Sequence, residues 1–270
     1  MTAMTFSPTL LSRDVLKLSG PDTLTLLQGL VTANVEGLQS GDARYGALLT
    51  PQGKIIETMF LTQSEEALYI DVPAGRGAGL MKKLMLYRLR AKVEIEDVSE
   101  SIAAGASPDA ASVPETAFLS APDPRHEAMG LRWFAEVPAD LPREEDDYLG
   151  HQAALGIPDM GAGFGEAEVF PLDVNFDVLH GIDHKKGCFV GQEVASRMFR
   201  KGEIRKRTFI AQGASLTPGT SLKQNDRTVG EVRYVLGEAA LVQARMDRLD
   251  GDEAMAEDRQ VKLIKPDYLP

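Results

Sequence analysis

The chain has 270 residues, 43% of them hydrophobic, with 29 Lys and Arg against 40 Asp and Glu for a formal net charge of −11. That size suits one large or two moderate soluble domains. No apolar run is long enough to cross a membrane and no nucleic-acid motif accompanies the acidic charge, so neither a membrane nor duplex nucleic acid is expected as a partner.

Taken in chain order, residues 15–18 are predicted as a strand ending at Gly20-Pro21, with Asp22 capping a helix through Leu24, Leu26, Leu27 and Leu30. Residues 43–49 and 54–61 read as strands joined by Thr50-Pro51-Gln52-Gly53, a hairpin signal. A strand over 67–72, a helix over 80–89 and a strand over 92–95 follow. Between 99 and 124 the sequence thins into Ala, Ser, Pro and Gly, which predicts a surface insertion. Strand pattern returns over 131–137, and 148–155 reads as a helix. Beyond Thr208 short β segments (209–212, 228–235, 239–244, 261–264) predict a small barrel or sandwich. These patterns divide the chain into an α+β region, 1–204, and a β domain, 205–270.

Three constellations need weighing. Gly75-Arg76-Gly77-Ala78-Gly79 follows a strand and opens a helix, but it lacks the third glycine and the parallel surroundings of a dinucleotide fingerprint. His180, His184 and Cys188 are each four apart, as metal ligands on one helical face would be, yet Gly181 and Gly187 oppose that helix and no metal is expected. Asp173, Asn175 and Asp177 alternate, so in an extended segment they would share one side. Asp173 and Asn175 could then grip the donor and acceptor edge of a heterocycle, or the run could be a solvated strand edge.

The densest chemistry lies at Lys185-Lys186-Gly187-Cys188-Phe189-Val190-Gly191-Gln192-Glu193, which holds the only cysteine. One cysteine forms no internal disulfide, in keeping with a reducing compartment. The N-terminus lacks the charged start and apolar core of a secretory signal, and a cytoplasmic location is expected. Thiolate is the reactive form, favoured by nearby positive charge, which Lys185 and Lys186 supply, and by a helix N-terminus. Residues 191–198 read as a short helix with Val194 and Met198 on one face and Glu193 in its first turn. The bland alternative is a Gly-rich turn around a small buried hydrophobe. From His184 to Arg207 eight basic residues face only Glu193 and Glu203, a net +6 that leaves −17 for the rest. Such an island attracts an anionic small molecule, unless it is simply a solvated, salt-bridged face.

Lys186-Gly187-Cys188-Phe189-Val190-Gly191-Gln192-Glu193 resembles the K-G-C-[YF]-x-G-Q-E signature of the YgfZ-type folate-binding proteins. These are relatives of the glycine-cleavage aminomethyltransferase and include a mitochondrial iron–sulfur assembly factor. The likeness extends through Leu18-Ser19-Gly20-Pro21-Asp22, Gln28-Gly29-Leu30-Val31-Thr32-Ala33-Asn34-Val35, Leu48-Leu49-Thr50-Pro51-Gln52-Gly53-Lys54 and Tyr87-Arg88-Leu89-Arg90. It implies a GcvT-like α+β fold of ferredoxin-like units around a central channel, closed by a C-terminal β-barrel, with tetrahydrofolate in the channel. It makes Cys188 the signature thiol and Lys186, Gln192 and Glu193 its companions, and it places Arg13 and Tyr148 near the folate pocket, Tyr148 as a stacking ring. Asp173 and Asn175 are then candidate folate contacts. The aminomethyltransferases' catalytic aspartate has no counterpart at Ile56-Glu57-Thr58, which weakens the alternative of a one-carbon transferase. The implied function is a folate-binding accessory protein of iron–sulfur cluster assembly or repair, with cluster client or assembly proteins as partners. A tRNA-modification factor is the other alternative, as a downstream effect of cluster loss.

Overall fold

The computed structural model describes residues 6–137, 142–202, 204–213, 216–236 and 239–270; the first five residues, Glu203 and the side chain of Lys201 lie outside it. Two short strands, β1 (Thr9–Leu10) and β2 (Arg13–Ser19), lead to helix α1 (Thr23–Gln28). Asp22 occupies the N-cap position of α1, but its side chain does not cap the helix; its Oδ2 accepts the Lys92 backbone N–H at 2.7 Å, tying the start of one segment to the end of another. The predicted hairpin forms as β3 (Ala43–Leu49) and β4 (Ile55–Gln63), followed by β5 (Leu68–Pro73), helix α2 (Gly77–Arg88) and β6 (Glu94–Asp97). These strands make one antiparallel sheet in the order β3-β4-β5-β2-β6. No parallel βαβ unit surrounds Gly75-Arg76-Gly77, and Asp14 Oδ2 accepts the Gly77 N–H at 2.7 Å, so the dinucleotide reading gives way to a helix entry.

Strand alternation decides what each face of this sheet holds. Leu16, Leu18, Met59, Leu61, Leu68, Ile70 and Val72 pack with α1 and α2, whose Leu27, Leu80 and Leu84 are buried. The opposite face carries Arg13, Tyr45, Phe60 and Asp71.

A second sheet, β1-β7-β9-β8, is built from β7 (Ile102–Ser107), β8 (Ala117–Pro122) and β9 (Leu131–Glu136). The stretch 99–124 is therefore not a surface insertion. Its small residues are strand residues chosen for fit: Ala104 and Ala106 are buried, and a Cβ on Gly105 would sit 2.0 Å from the Trp133 ring. An alanine-rich run reads as loop because it carries no large hydrophobe, yet here the bulk comes from the opposing tryptophan.

Helix α3 (Glu145–Ala154) and the two-residue strands β10 (Asp159–Met160) and β11 (Gly163–Phe164) precede a 3-10 turn at Pro171–Val174, and α4 (Gln192–Lys201) follows. Asp173, Asn175 and Asp177 thus lie on a turn rather than an extended strand, because Pro171 starts a tight helix and Asn175 takes a left-handed φ of 62°. The C-terminal strands β12 (Lys206–Gln212), β13 (Ser221–Gln224), β14 (Arg227–Leu236), β15 (Ala239–Arg245), β16 (Glu253–Ala256) and β17 (Arg259–Ile264) close into a barrel. Buried Asn175 binds this barrel to the rest: its amide donates to the Thr208 carbonyl at 2.9 Å and accepts the Thr208 N–H at 3.2 Å. Arg207 pairs with Asp177 beside it, Nη2 to Oδ2 at 2.7 Å.

Candidate functional site

The signature loop is moored from below by backbone. A Cβ on Gly191 (φ 80°) would meet the Thr50 carbonyl at 2.5 Å, and one on Gly53 would meet Val194 Cβ at 3.0 Å, so the hairpin turn and the start of α4 pack glycine against glycine. The Asp183 N–H bonds the Thr32 carbonyl at 3.0 Å, and the Thr32 hydroxyl donates to the Gly181 carbonyl at 2.5 Å. Thr32, Gly53 and Val31 hold the loop in place, and a residue-by-residue search for reactive groups misses them. Their signal was present in the matched segments around them, which meet only in space.

Above this mooring Cys188 is exposed and free. It precedes α4 by one turn, with the Gln192 N–H closing onto the Phe189 carbonyl at 3.1 Å. Phe189 is buried beneath it, Gln192 is half-buried, and Glu193 is exposed in the first turn of α4. The small-buried-hydrophobe alternative fails, because the buried apolar member of the loop is Phe189 while Cys188 is exposed. Val194 and Met198 are both half-buried, as the helical spacing predicts.

Lys186, expected to keep the thiol ionised, is tied to backbone carbonyls. Its ammonium is buried and donates at 2.7 Å to each of the Val31 and Ala33 carbonyls, so it holds the loop to the first half of the chain. Burial lowers its pKa to about 8, opposed by Asp183. Lys185 stays exposed. His180 and His184 do not form a helical ligand row with Cys188, and no metal-binding cluster is found among the described residues. His184 instead stacks on Phe199 at 3.8 Å, with both ring nitrogens unpartnered, and burial depresses its pKa.

The residues assigned to folate do not assemble into one pocket. Arg13 and Tyr148 belong to a buried network between the two sheets. Arg13 Nε lies 2.7 Å and Arg132 Nη2 2.5 Å from the same Asp71 oxygen, and Arg125 lies 2.8 Å from Asp123 and 3.8 Å from Asp159. The Tyr148 hydroxyl accepts from Arg125 at 2.7 Å and Arg132 at 3.2 Å. Its ring is 3% exposed and set edge-on to Phe6, so neither of its faces is offered to a ligand. The guanidiniums of Arg13, Arg125 and Arg132 lie 5.5, 4.7 and 3.7 Å from the Phe60 centroid, satisfying by π contact what few carboxylates could reach. Burial opposes ionisation of Asp123, but Arg125 holds its carboxyl below the ordinary value. The network keeps three unpartnered polar atoms: Tyr45 Oη, Asp71 Oδ2 and Arg132 Nε.

Asp173 lies elsewhere, beside Arg197, Arg205, Lys206 and Arg245 in an open cavity of about 500 Å³ between α4 and the barrel. Burial raises its carboxyl pKa while its Oδ2 accepts the Phe170 N–H at 3.3 Å. Asn175 is consumed by the barrel. The basic island is divided in the same way, Arg207 being buried against Asp177 while Arg197 and Arg200 stay exposed. Glu57, at the place of the transferase aspartate, is buried and bonded to Arg76 Nε at 2.6 Å.

Residues 13–130 match the family described as GCVT N-terminal domain, and residues 205–270 match the CAF17 C-terminal beta-barrel domain. The human mitochondrial iron–sulfur cluster assembly factor IBA57 is 30% identical, with 96% of this chain and 83% of that protein covered. The chain belongs to the YgfZ/CAF17 family, of which IBA57 is a member. A Neurospora crassa IBA57 homolog is also 30% identical, over 73% of this chain, which spans only 51% of that longer protein. The crystal structure of the glycine cleavage system aminomethyltransferase T from Bartonella henselae superposes with a TM-score of 0.73 at 15% identity, covering 99% of this chain and 87% of that one. The YgfZ/CAF17 chain therefore has the GcvT-like fold with a six-stranded C-terminal barrel. Its relatives are named as mitochondrial, which overturns the expectation of a cytoplasmic protein.

Proposed function

We propose that the protein serves iron–sulfur cluster assembly through the thiol of Cys188. The observation that carries this reading is the placement of the chain's single cysteine: exposed, in a turn whose backbone is held by two distant segments, 31–33 and 49–53. A thiol so held can lose one proton to solvent and form one sulfur–iron bond, with no change in oxidation state. The partners are proteins that donate or receive a cluster, and the names of the relatives support that class. Since Cys188 is exposed, Cys188→Ala should change stability by less than about 0.5 kcal/mol. In cells lacking the wild-type chain it should nonetheless leave cluster-dependent enzymes at the level of the deletion. Full enzyme activity with Cys188→Ala would reduce the loop to a structural turn.

A second reading is tetrahydrofolate held at the central network, favoured by the unpartnered Tyr45, Asp71 and Arg132 atoms, which leave a hydroxyl, an acceptor and a donor unsatisfied there. Tyr148 does not stack in this reading; it orients the two guanidiniums. Tetrahydrofolate at a hundredfold excess over its Kd would stabilise the fold by about 2.7 kcal/mol. A melting temperature unmoved by saturating tetrahydrofolate would remove this ligand and leave the thiol reading standing.

A further inference from the structure

Helix α2 turns an apolar and cationic face to solvent. Met85, Leu86, Tyr87 and Leu89 are 47, 70, 44 and 86% exposed, four of the nine exposed large hydrophobic side chains among the described residues. Scattered exposed hydrophobes are ordinary, but Leu89 lies four and three residues beyond Met85 and Leu86, so these three share one side of the helix end with Tyr87 flanking them, and grouped exposed hydrophobes mark an interaction site. Residues 75–93 contain Arg76, Lys82, Lys83, Arg88, Arg90 and Lys92 and no acid, a local +6 on a chain of net −11. Arg76 is paired with Glu57 and Glu166, and Lys83 lies 3.9 Å from Glu166; Lys82, Arg90 and Lys92 are exposed. Leu89, the most exposed of the four hydrophobes, ends the helix at φ 47°, a left-handed conformation that costs an L-residue energy and that persists most often at functional positions.

We propose that this face docks an acidic protein partner, the donor or recipient of the cluster handled at Cys188; the partner's class rests on that assembly reading. Tyr, Met and Arg are the types enriched at protein interfaces, and Met85, Tyr87 and Arg90 supply them here. An acidic protein is repelled by the remaining −17 of the chain and attracted only at its positive islands, which orients the encounter before contact. A lipid surface fits less well. The neighbouring edge strand β6 exposes Glu94, Glu96 and Asp97, which anionic headgroups repel but basic side chains at the rim of a protein interface can pair.

The test places p-benzoylphenylalanine at position 86 of the full chain and irradiates living cells. The expected result is a discrete adduct with an acidic iron–sulfur assembly or client protein, falling about tenfold in yield when Lys82→Glu and Arg90→Glu are added. The double variant, whose purified form should melt as the parent does, should also lose support of cluster enzymes. No adduct, an adduct with lipid or with a protein outside that class, or an adduct unaffected by charge reversal would overturn the proposal. Cys188→Ala keeps the two readings apart: it should retain the adduct while losing enzyme support. Enzyme support kept alongside an intact adduct would end the thiol reading alone.

Discussion

Asp71→Asn is expected to destabilise the protein by about 3–5 kcal/mol, since removing one partner leaves buried charge uncompensated. One Asp71 oxygen serves both Arg13 and Arg132, and Asp71 is fully buried. Asparagine keeps the shape and one accepting oxygen, so the loss isolates charge from packing. Without the Asp71 charge, the carboxylates left to Arg13, Arg125 and Arg132 among the described residues are Asp123 and Asp159, and Phe60 cannot neutralise the surplus. The midpoint of urea unfolding measures the change, with Asp247→Asn as the exposed control at the Arg245 pair, where no measurable change is expected. A shift of Asp71→Asn no larger than the control's would mean that water or a ligand already shields the network.

Lys186→Met is expected to cost about 1–3 kcal/mol at neutral pH, because the buried Val31 and Ala33 carbonyls lose their donor. The pH dependence gives a second, sharper sign. With the folded pKa pushed by burial to about 8 from an ordinary 10.5, the unfolded chain binds more protons within that window. The wild type should therefore gain stability from this group as pH rises through the window, and Lys186→Met should lack that gain. Equal slopes for the two proteins would show that the ammonium is solvated.

The sheet and helix pattern was legible wherever large hydrophobes alternate or recur, as in the hairpin at 43–63 and the helix at 77–88. It failed at 102–107 because the packing partner of that strand, Trp133, lies 28 residues beyond Gly105 in sequence and contributes the bulk that the strand itself lacks. Strands β13 and β16 were passed over for a related reason. Each is four residues long with alternate positions exposed, too short for a period to declare itself. The thiol loop was legible as a local cluster of types. The fates of Lys186, Tyr148 and Asn175 were not, since each is settled by a partner far along the chain: Val31, Arg125 and Thr208. Residue type told that these groups would be bonded; it did not tell to what.

The mooring of the thiol loop also sets a time order. Lys186 reaches back 155 residues to Val31, and Gly181 149 residues to Thr32. Contacts closing loops of that length form late, after the local hairpins and helices that make them worthwhile. A nascent or partly folded chain therefore carries Cys188 on a slack tether, without the fixed turn, until the first sheet and the last helix have met. If Cys188 serves as proposed, iron or sulfur arriving early would meet a thiol on a loose tether, and only the finished molecule would present it on a fixed turn.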